Sequence, residues 1–154
     1  MDLSHDSARN RNKSQLRRAT DTDRKVFTTK PVPDVWFGLV AERHMLLGIG
    51  GAYWGTDGRW WAVFARAPGV RGMAITAHRA ALIVIDIADG MEINLHAMPD
   101  TSIAKSGFWL RRLGFEETTE HIEGHAVWGR NWQSSAQLSA QPVQRLERSH
   151  NPTL

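Results

Sequence analysis

"FWLRRLGFEETTEHIEGHAVWGR", Phe108 to Arg130, is the stretch whose reading decides the fold. Phe108 to Leu113 reads as the last turns of a helix. Leu113-Gly114-Phe115 then stops it, because glycine takes the left-handed conformation that closes helix C-termini. Two strands follow, joined by a polar turn at Glu123-Gly124. A helix that ends on a glycine and passes straight into a hairpin gives the C-terminal third of an α+β domain.

Upstream, "PDTSIAKSG" supplies a proline and an Asp100 or Thr101 cap for that helix. "INLHA", Ile93 to Ala97, alternates as a short strand. Before it, Ile75, Arg79, Leu82, Ile83, Asp86 and Ile87 recur at helical spacing, and Gly90 stands where a C-terminal glycine cap belongs. "VWFGLVAE", "MLLGIGGAYW" and "WWAVFA" read as a three-strand meander whose second turn is Asp57-Gly58. Gly48, Gly50 and Gly51 within the middle run mark a bulge or a close backbone approach. Gln15 to Ala19 reads as a first strand and "TDTDR" as a capped short helix, ended by Pro31 and Pro33. Each long helix links strands that run parallel, while the hairpins are antiparallel, so the expectation is a single mixed, mostly antiparallel sheet flanked by helices.

All seven tryptophans and five phenylalanines lie between Ser14 and Trp132, which places one core there. Residues 1–13 and 133–154 have the composition of disordered arms. At 154 residues, 42% hydrophobic and 23% charged, the chain is one ordinary globular domain rather than a disordered or membrane protein. Met1 to Lys30 holds no apolar block, so no secretory leader is expected. The absence of cysteine excludes disulfides and thiolate chemistry and fits a reducing cytoplasm. A net charge of +3 is weak evidence for nucleic acid. Arg9, Arg11, Lys13, Arg17 and Arg18 crowd one end and Arg145 and Arg148 the other. They read either as solvated ends or as an arm that touches phosphate.

Three stretches carry a resemblance. "LRRATDTD", "GIGGAYW…GRWWAVFARAPGVRG" and "AKSGFWLRRLGFEE" resemble the first strand, the central hairpin with its cofactor loop, and the last helix of the GNAT superfamily of acetyl-CoA-dependent N-acetyltransferases. The brevity of the early helical region resembles short phage- and prophage-encoded members. The resemblance implies the acyl-CoA N-acyltransferase fold, acetyl-CoA as acyl donor, no metal, and an amine-bearing acceptor, with a homodimer left open. It implies that Val63, Phe64 and Ala65 pair with pantetheine, and that Arg66, Gly69, Val70, Arg71 and Gly72 form the pyrophosphate loop. Glycine there admits close backbone approach, and a helix start offers unpaired amides to an anion. The loop departs from the family pattern, with Arg71 where glycine or alanine is usual. Either Arg71 binds phosphate directly, or the loop has lost the cofactor, or it is a plain turn.

The catalytic residues are thinner. Acetyl transfer needs a neutral amine and a proton for the departing thiolate. The tyrosine that many members place five residues before the phenylalanine of Leu-Gly-Phe is Leu110 here. "WWAVFA" holds no acid, and the sole tyrosine is Tyr53. His96 and Tyr53 are therefore the catalytic candidates, with Asp100 read as a cap. His121 and His125 flank the last turn but lack further metal-ligand spacing. Two alternatives remain: a catalytically degenerate phage accessory or virion protein acting as a binding module, and a DNA-modifying member.

Overall fold

A computed structural model of the chain describes residues 14–27 and 36–133. Ten elements follow one another: β1 (Gln15–Arg18), α1 (Asp21–Phe27), β2 (Trp36–Glu42), β3 (Leu46–Trp54), β4 (Trp60–Arg66), α2 (Ala74–Gly90), β5 (Leu95–Ala97), α3 (Ser106–Arg112), β6 (Glu116–Ile122) and β7 (His125–Arg130). The strands form one mixed sheet in the order β1-β2-β3-β4-β5-β7-β6. Among the described residues only β4 and β5 pair in parallel, and α2 is the crossover between them. The expected architecture is present. The proposed arms, the proline stop at Pro31 and Pro33 and most of the region thought to lack a second early helix lie outside the described residues.

Local chemistry explains most boundaries. Thr20 caps α1 reciprocally: its N–H and hydroxyl donate to Asp23 Oδ2 at 2.8 and 2.9 Å, and the Asp23 N–H donates back to Thr20 Oγ1 at 3.3 Å. The β3–β4 hairpin turns at Gly58, with φ of +74°. The last hairpin turns at Glu123 and Gly124, both at positive φ, as a two-residue loop between twisted strands requires. Among the glycines of β3, Gly51 shows the close approach anticipated, since a Cβ there would run into the Phe37 carbonyl of β2. The bulge lies beside Gly48, where the register of β2 on β3 shifts between Ala41 and Glu42.

Two expectations need correction. The helix of α3 does not begin at an Asp100 or Thr101 cap. Asp100 Oδ1 instead accepts from the Ser102 N–H at 2.8 Å, building a local turn, and Lys105, at φ of +69°, breaks the chain before Ser106 starts the helix. Gly90 is not the left-handed cap of α2 but its last helical residue. Glu92 takes that conformation, at φ of +58°, and Ile93 N–H returns to the Ala88 carbonyl at 2.8 Å.

One face of the sheet carries the core. Ala52, Leu95, Ala97 and Trp128 pack there against Val84, Ile85 and Ala88 of α2 and Leu110 and Leu113 of α3. Arg130, 7% exposed, binds the layer together from within: it donates to the Leu113 carbonyl at the end of α3 and holds the Asp89 carboxylate of α2 through both terminal nitrogens. The helical stripe that announces α2 in the sequence faces outward, with Ile75, Leu82, Ile83 and Ile87 exposed, while the buried face is Ala77, Ala80, Val84, Ile85 and Ala88.

Candidate functional site

The parallel strands β4 and β5 stay together for two residue pairs, Trp60 with Leu95 and Trp61 with His96. β4 then runs on through Ala62, Val63, Phe64, Ala65 and Arg66 with no strand partner on that side among the described residues. Backbone N–H and C=O groups left beside a missing strand must find other partners, which makes such an edge a place for an extended ligand. Exposure rises along the strand as its neighbour leaves, from 7% at Trp61 to 42% at Val63. Phe64 lies on the core face and meets Trp109 of α3, ring centroids 6.0 Å apart, so the opening has an aromatic wall on that side. The pairing was beyond sequence reasoning because it depends on where a remote strand diverges.

From Arg66 the chain enters the loop to α2. Arg66 Nη1 donates to the Val70 carbonyl at 3.4 Å, strapping the loop, and the Val70 N–H returns to Ala67 O at 3.3 Å. Gly69 and Gly72 sit at φ of +76° and +73°, a region costly for side-chain-bearing residues. Met73 precedes α2 without a side-chain cap, and the first turn carries no acid. The amides opening this 17-residue helix therefore have no intrahelical acceptor and no local carboxylate to screen them. Arg71 is exposed beside them. Val63 to Arg66 thus end β4, and Gly69 to Gly72 lie in the loop that leads from it to α2.

The other face presents a second feature. Registered pairs align Trp36, Tyr53, Trp61 and His96 in one row across β2, β3, β4 and β5. The Trp61 and His96 rings lie 5.7 Å apart at the point where the strands part. His96 Nδ1 is buried without a hydrogen-bond partner. Tyr53 is two strands away from His96, about 10 Å at ordinary strand spacing, so the two catalytic candidates share a face but cannot touch one atom. Burial pushes the Tyr53 phenol up, Arg24 opposes this, and Asp57 adds to it. Trp61 is fixed by its indole N–H to Asp57, 3.1 Å from each carboxylate oxygen, and by the Arg59 guanidinium 5.1 Å above the ring. Arg59 in turn spans Asp57 at 2.8 Å and Glu120 of β6 at 2.7 Å.

Arg24 was missed in the sequence, where a basic residue in a short polar helix reads as solvent-facing. It is 8% exposed and stacks over Trp36 and Tyr53 at 5.2 and 5.8 Å. Arg17 moves the other way. Far from serving a phosphate-binding arm, it is committed to Asp23 through two bonds of 2.8 and 2.9 Å and to Glu42 at 3.0 Å. Leu110 is 7% exposed, so the position where the resemblance implies a tyrosine donor lies within the core cluster that also holds Leu95 and Trp128. His121 and His125 lie in adjacent rows of the hairpin, paired with Ala126 and Ile122, and so point to opposite faces. Among the described residues no group of three or more His, Asp or Glu could hold a metal ion, and no helix is long and apolar enough to cross a membrane.

No protein-family model and no curated protein matches the sequence. Solved structures do. A phosphinothricin acetyltransferase of the GNAT superfamily from Sinorhizobium meliloti, in complex with AcCoA, matches with a TM-score of 0.55 at 18% identity, over 77% of this chain and 88% of that one. An aminoglycoside acetyltransferase solved with coenzyme A and kanamycin gives a TM-score of 0.58 at 12% identity, over 83% and 100%. A Bordetella pertussis structure described as a GnaT-family acetyltransferase gives 0.51 at 19% identity over 62% of this chain, which spans 64% of that one. Sheet order, the single parallel pair and these matches together establish the architecture: the chain has the fold of the GNAT acyl-CoA N-acyltransferases.

Proposed function

We propose that the protein transfers an acetyl group from acetyl-CoA to an amine. The observation that carries this is the divergence of β4 from β5 after Trp61 and His96, beside an uncapped helix start reached through two glycines at positive φ. An extended pantetheine arm fits the bare edge of Val63 to Ala65, and a pyrophosphate fits the amides and Arg71 at the start of α2. Phe64 and Trp109 would exclude water from the thioester side.

In this reading the acceptor amine enters at the Trp61–His96 junction. Its nitrogen bonds to the acetyl carbonyl carbon, the carbon–sulfur bond breaks, and the thiolate departs. His96 takes the amine proton, since its unpartnered Nδ1 lies at the parting strands. The same imidazolium can return that proton to the thiolate, a role that Leu110 cannot fill. Tyr53, one strand beyond Trp61, lines the acceptor side rather than touching the reacting atoms.

Calorimetric titration with acetyl-CoA, followed by detection of free thiol with a panel of amines, tests the reading. Saturable heat with thiol release is expected. No heat and no thermal stabilisation at millimolar acetyl-CoA would overturn it. The second reading, a binding module on the same fold, is favoured by one observation, the burial of Leu110 in the core. Acetyl-CoA binding without thiol release for any amine would select it.

A further inference from the structure

Among the described residues two buried side-chain polar atoms have no hydrogen-bond partner, Arg24 Nη1 and His96 Nδ1. Both belong to the face that carries Trp36, Tyr53, Trp61 and His96. Buried groups are normally satisfied, so an unmet pair on one surface marks a place where a ligand completes the bonding. Their demands differ: a guanidinium offers only donors, and an imidazole nitrogen can accept.

Among the described residues no carboxylate bonds to Arg24, and Asp21 acts on it only through space. The two aromatic neighbours of Arg24 supply cation–π attraction, which offsets only part of the cost of removing a guanidinium from water. The nearby acids are committed elsewhere. Asp21 accepts from the Trp36 indole at 2.8 Å, Asp23 is held by Arg17, and Asp57 and Glu120 are held by Arg59. The surroundings thus supply the platform for an oxyanion but not the oxyanion.

We propose that Arg24 binds an acidic group of the acceptor, so that the substrates are amines that also bear a carboxylate. This rests on the acetyl-transfer reading, with the amine at the Trp61–His96 junction. At ordinary strand spacing, Tyr53 lies about 5 Å from Trp61 and about 10 Å from His96. Arg24 covers the Trp36–Tyr53 pair, two strand spacings or about 10 Å along the row from the Trp61–His96 junction; the guanidinium–carboxylate bond takes up about 3 Å of this, leaving roughly 7 Å between acid and amine, the span of four or five methylenes.

The test uses the full chain with 5-aminopentanoate and 6-aminohexanoate against their carboxamides. Without cofactor, the acids are expected to shift the indole N–H resonances of Trp36 and Trp61, and the amides to do so only at tenfold or higher concentration. Arg24→Gln should erase that preference while leaving the affinity for acetyl-CoA unchanged. Equal binding of acid and amide by the parent, or a preference that survives Arg24→Gln, overturns the proposal. Because the acid arm is read without acetyl-CoA, its failure is distinct from a failure of acetyl transfer. Arg24→Met adds a readout that a purely structural arginine would not give: loss of acid preference with no loss of thermal stability.

A separate observation concerns α2, which carries large apolar side chains on its outward face as well as on the buried one. Ile75, Leu82, Ile83 and Ile87 are 78%, 47%, 42% and 40% exposed, and a contiguous exposed apolar stripe marks an interaction surface. Arg79 and Asp86 are exposed in the same stripe, each three residues from the central Leu82-Ile83 pair. The stripe is self-complementary about a two-fold axis. An antiparallel copy centred between Leu82 and Ile83 sets Arg79 against the partner's Asp86, and Ile75 against the partner's Gly90, where the surface is open.

We infer that a second copy of this chain covers α2. One helix pair buries less than a standard interface, so the dimer is expected to assemble in the micromolar range and above. Sedimentation velocity across that range should show a monomer–dimer shift that Leu82→Glu abolishes without altering thermal stability. Asp86→Arg should weaken it, and combining it with Arg79→Asp should restore it. A monomer at several hundred micromolar, or a dimer indifferent to Leu82→Glu, overturns the inference.

Discussion

Phe115 donates its backbone N–H to the Leu110 carbonyl at 3.1 Å, while both side chains are buried, 2% and 7% exposed. Gly114 makes this possible. At φ of +84° it reverses the chain, and its own N–H reaches the Arg111 carbonyl at 3.0 Å. The two bonds and the apolar contact across them form a Schellman closure. It satisfies orphan carbonyls of α3 and aims Phe115 into the core in a single turn. Gly114→Ala should cost about 1–2 kcal/mol, because a Cβ is disfavoured at this φ. The new atom would also lie 3.3 Å from Arg130 Nε. Gly114→Asn should cost less, since asparagine tolerates the left-handed region. Equilibrium urea unfolding of the two variants checks the order.

Arg130 makes the end of α3 and the end of α2 depend on one side chain. Removing its carboxylate partner leaves a buried guanidinium with one carbonyl. Asp89→Ala should therefore destabilise by about 2–4 kcal/mol, toward the lower figure because the Asp89 side chain is 31% exposed. Replacing both partners, as Arg130→Met with Asp89→Leu, should recover much of the loss, because the apolar pair carries no desolvation cost. A double-mutant cycle by thermal unfolding gives the coupling.

Acid should remove the stabilisation supplied by the N-terminal capping unit. The Arg17 guanidinium, bonded to both Asp23 oxygens, holds that carboxyl well below the usual carboxylate range, and Thr20 adds to the effect. A folded value depressed below the unfolded one means the unfolded chain binds the proton more readily. The contribution is then fully present above about pH 4 and is lost as pH falls through the lower folded value. Asp23→Asn should lower stability at neutral pH and flatten its decline between about pH 4 and pH 2. Urea midpoints of parent and variant across that window provide the measurement.

What the sequence disclosed and what it withheld follow from the range of the forces involved. The turns at Gly58, Gly114 and Glu123-Gly124 were legible because a residue's own φ preference decides them. The order of elements was legible because periodicity is local. The start of α3 was misread because aspartate favours an Asx turn as readily as a helix cap, and Lys105 gave no sign of its positive φ. The outward stripe of α2 was legible as helix but silent about which side meets the sheet, since both sides carry large apolar residues. Arg24 stayed hidden because its burial depends on Trp36 and Tyr53, which come from two other strands. The opening between β4 and β5 is non-local in the same sense: Val63 to Ala65 could be named from a resemblance, but not the residue pair after which the strands part.

The loop before α2 offers the sharpest check on the donor site, because two of its residues test different physics. Gly72, at φ of +73°, has nothing within 4 Å of the position a Cβ would take, so Gly72→Val strains the backbone without creating a clash. It should move the amides of Met73 and Ala74 out of line and weaken acetyl-CoA binding tenfold or more, with little loss of folding cooperativity. Arg71 is exposed and adds charge rather than shape. Arg71→Glu should therefore weaken acetyl-CoA in a salt-dependent way, the gap from the parent narrowing as ionic strength rises, whereas the Gly72→Val deficit should persist at high salt. Titrations of both variants with acetyl-CoA across ionic strength separate the two, and pantetheine, lacking the pyrophosphate, should be blind to both. Equal losses for both ligands in the charge variant would place the phosphates elsewhere on the molecule.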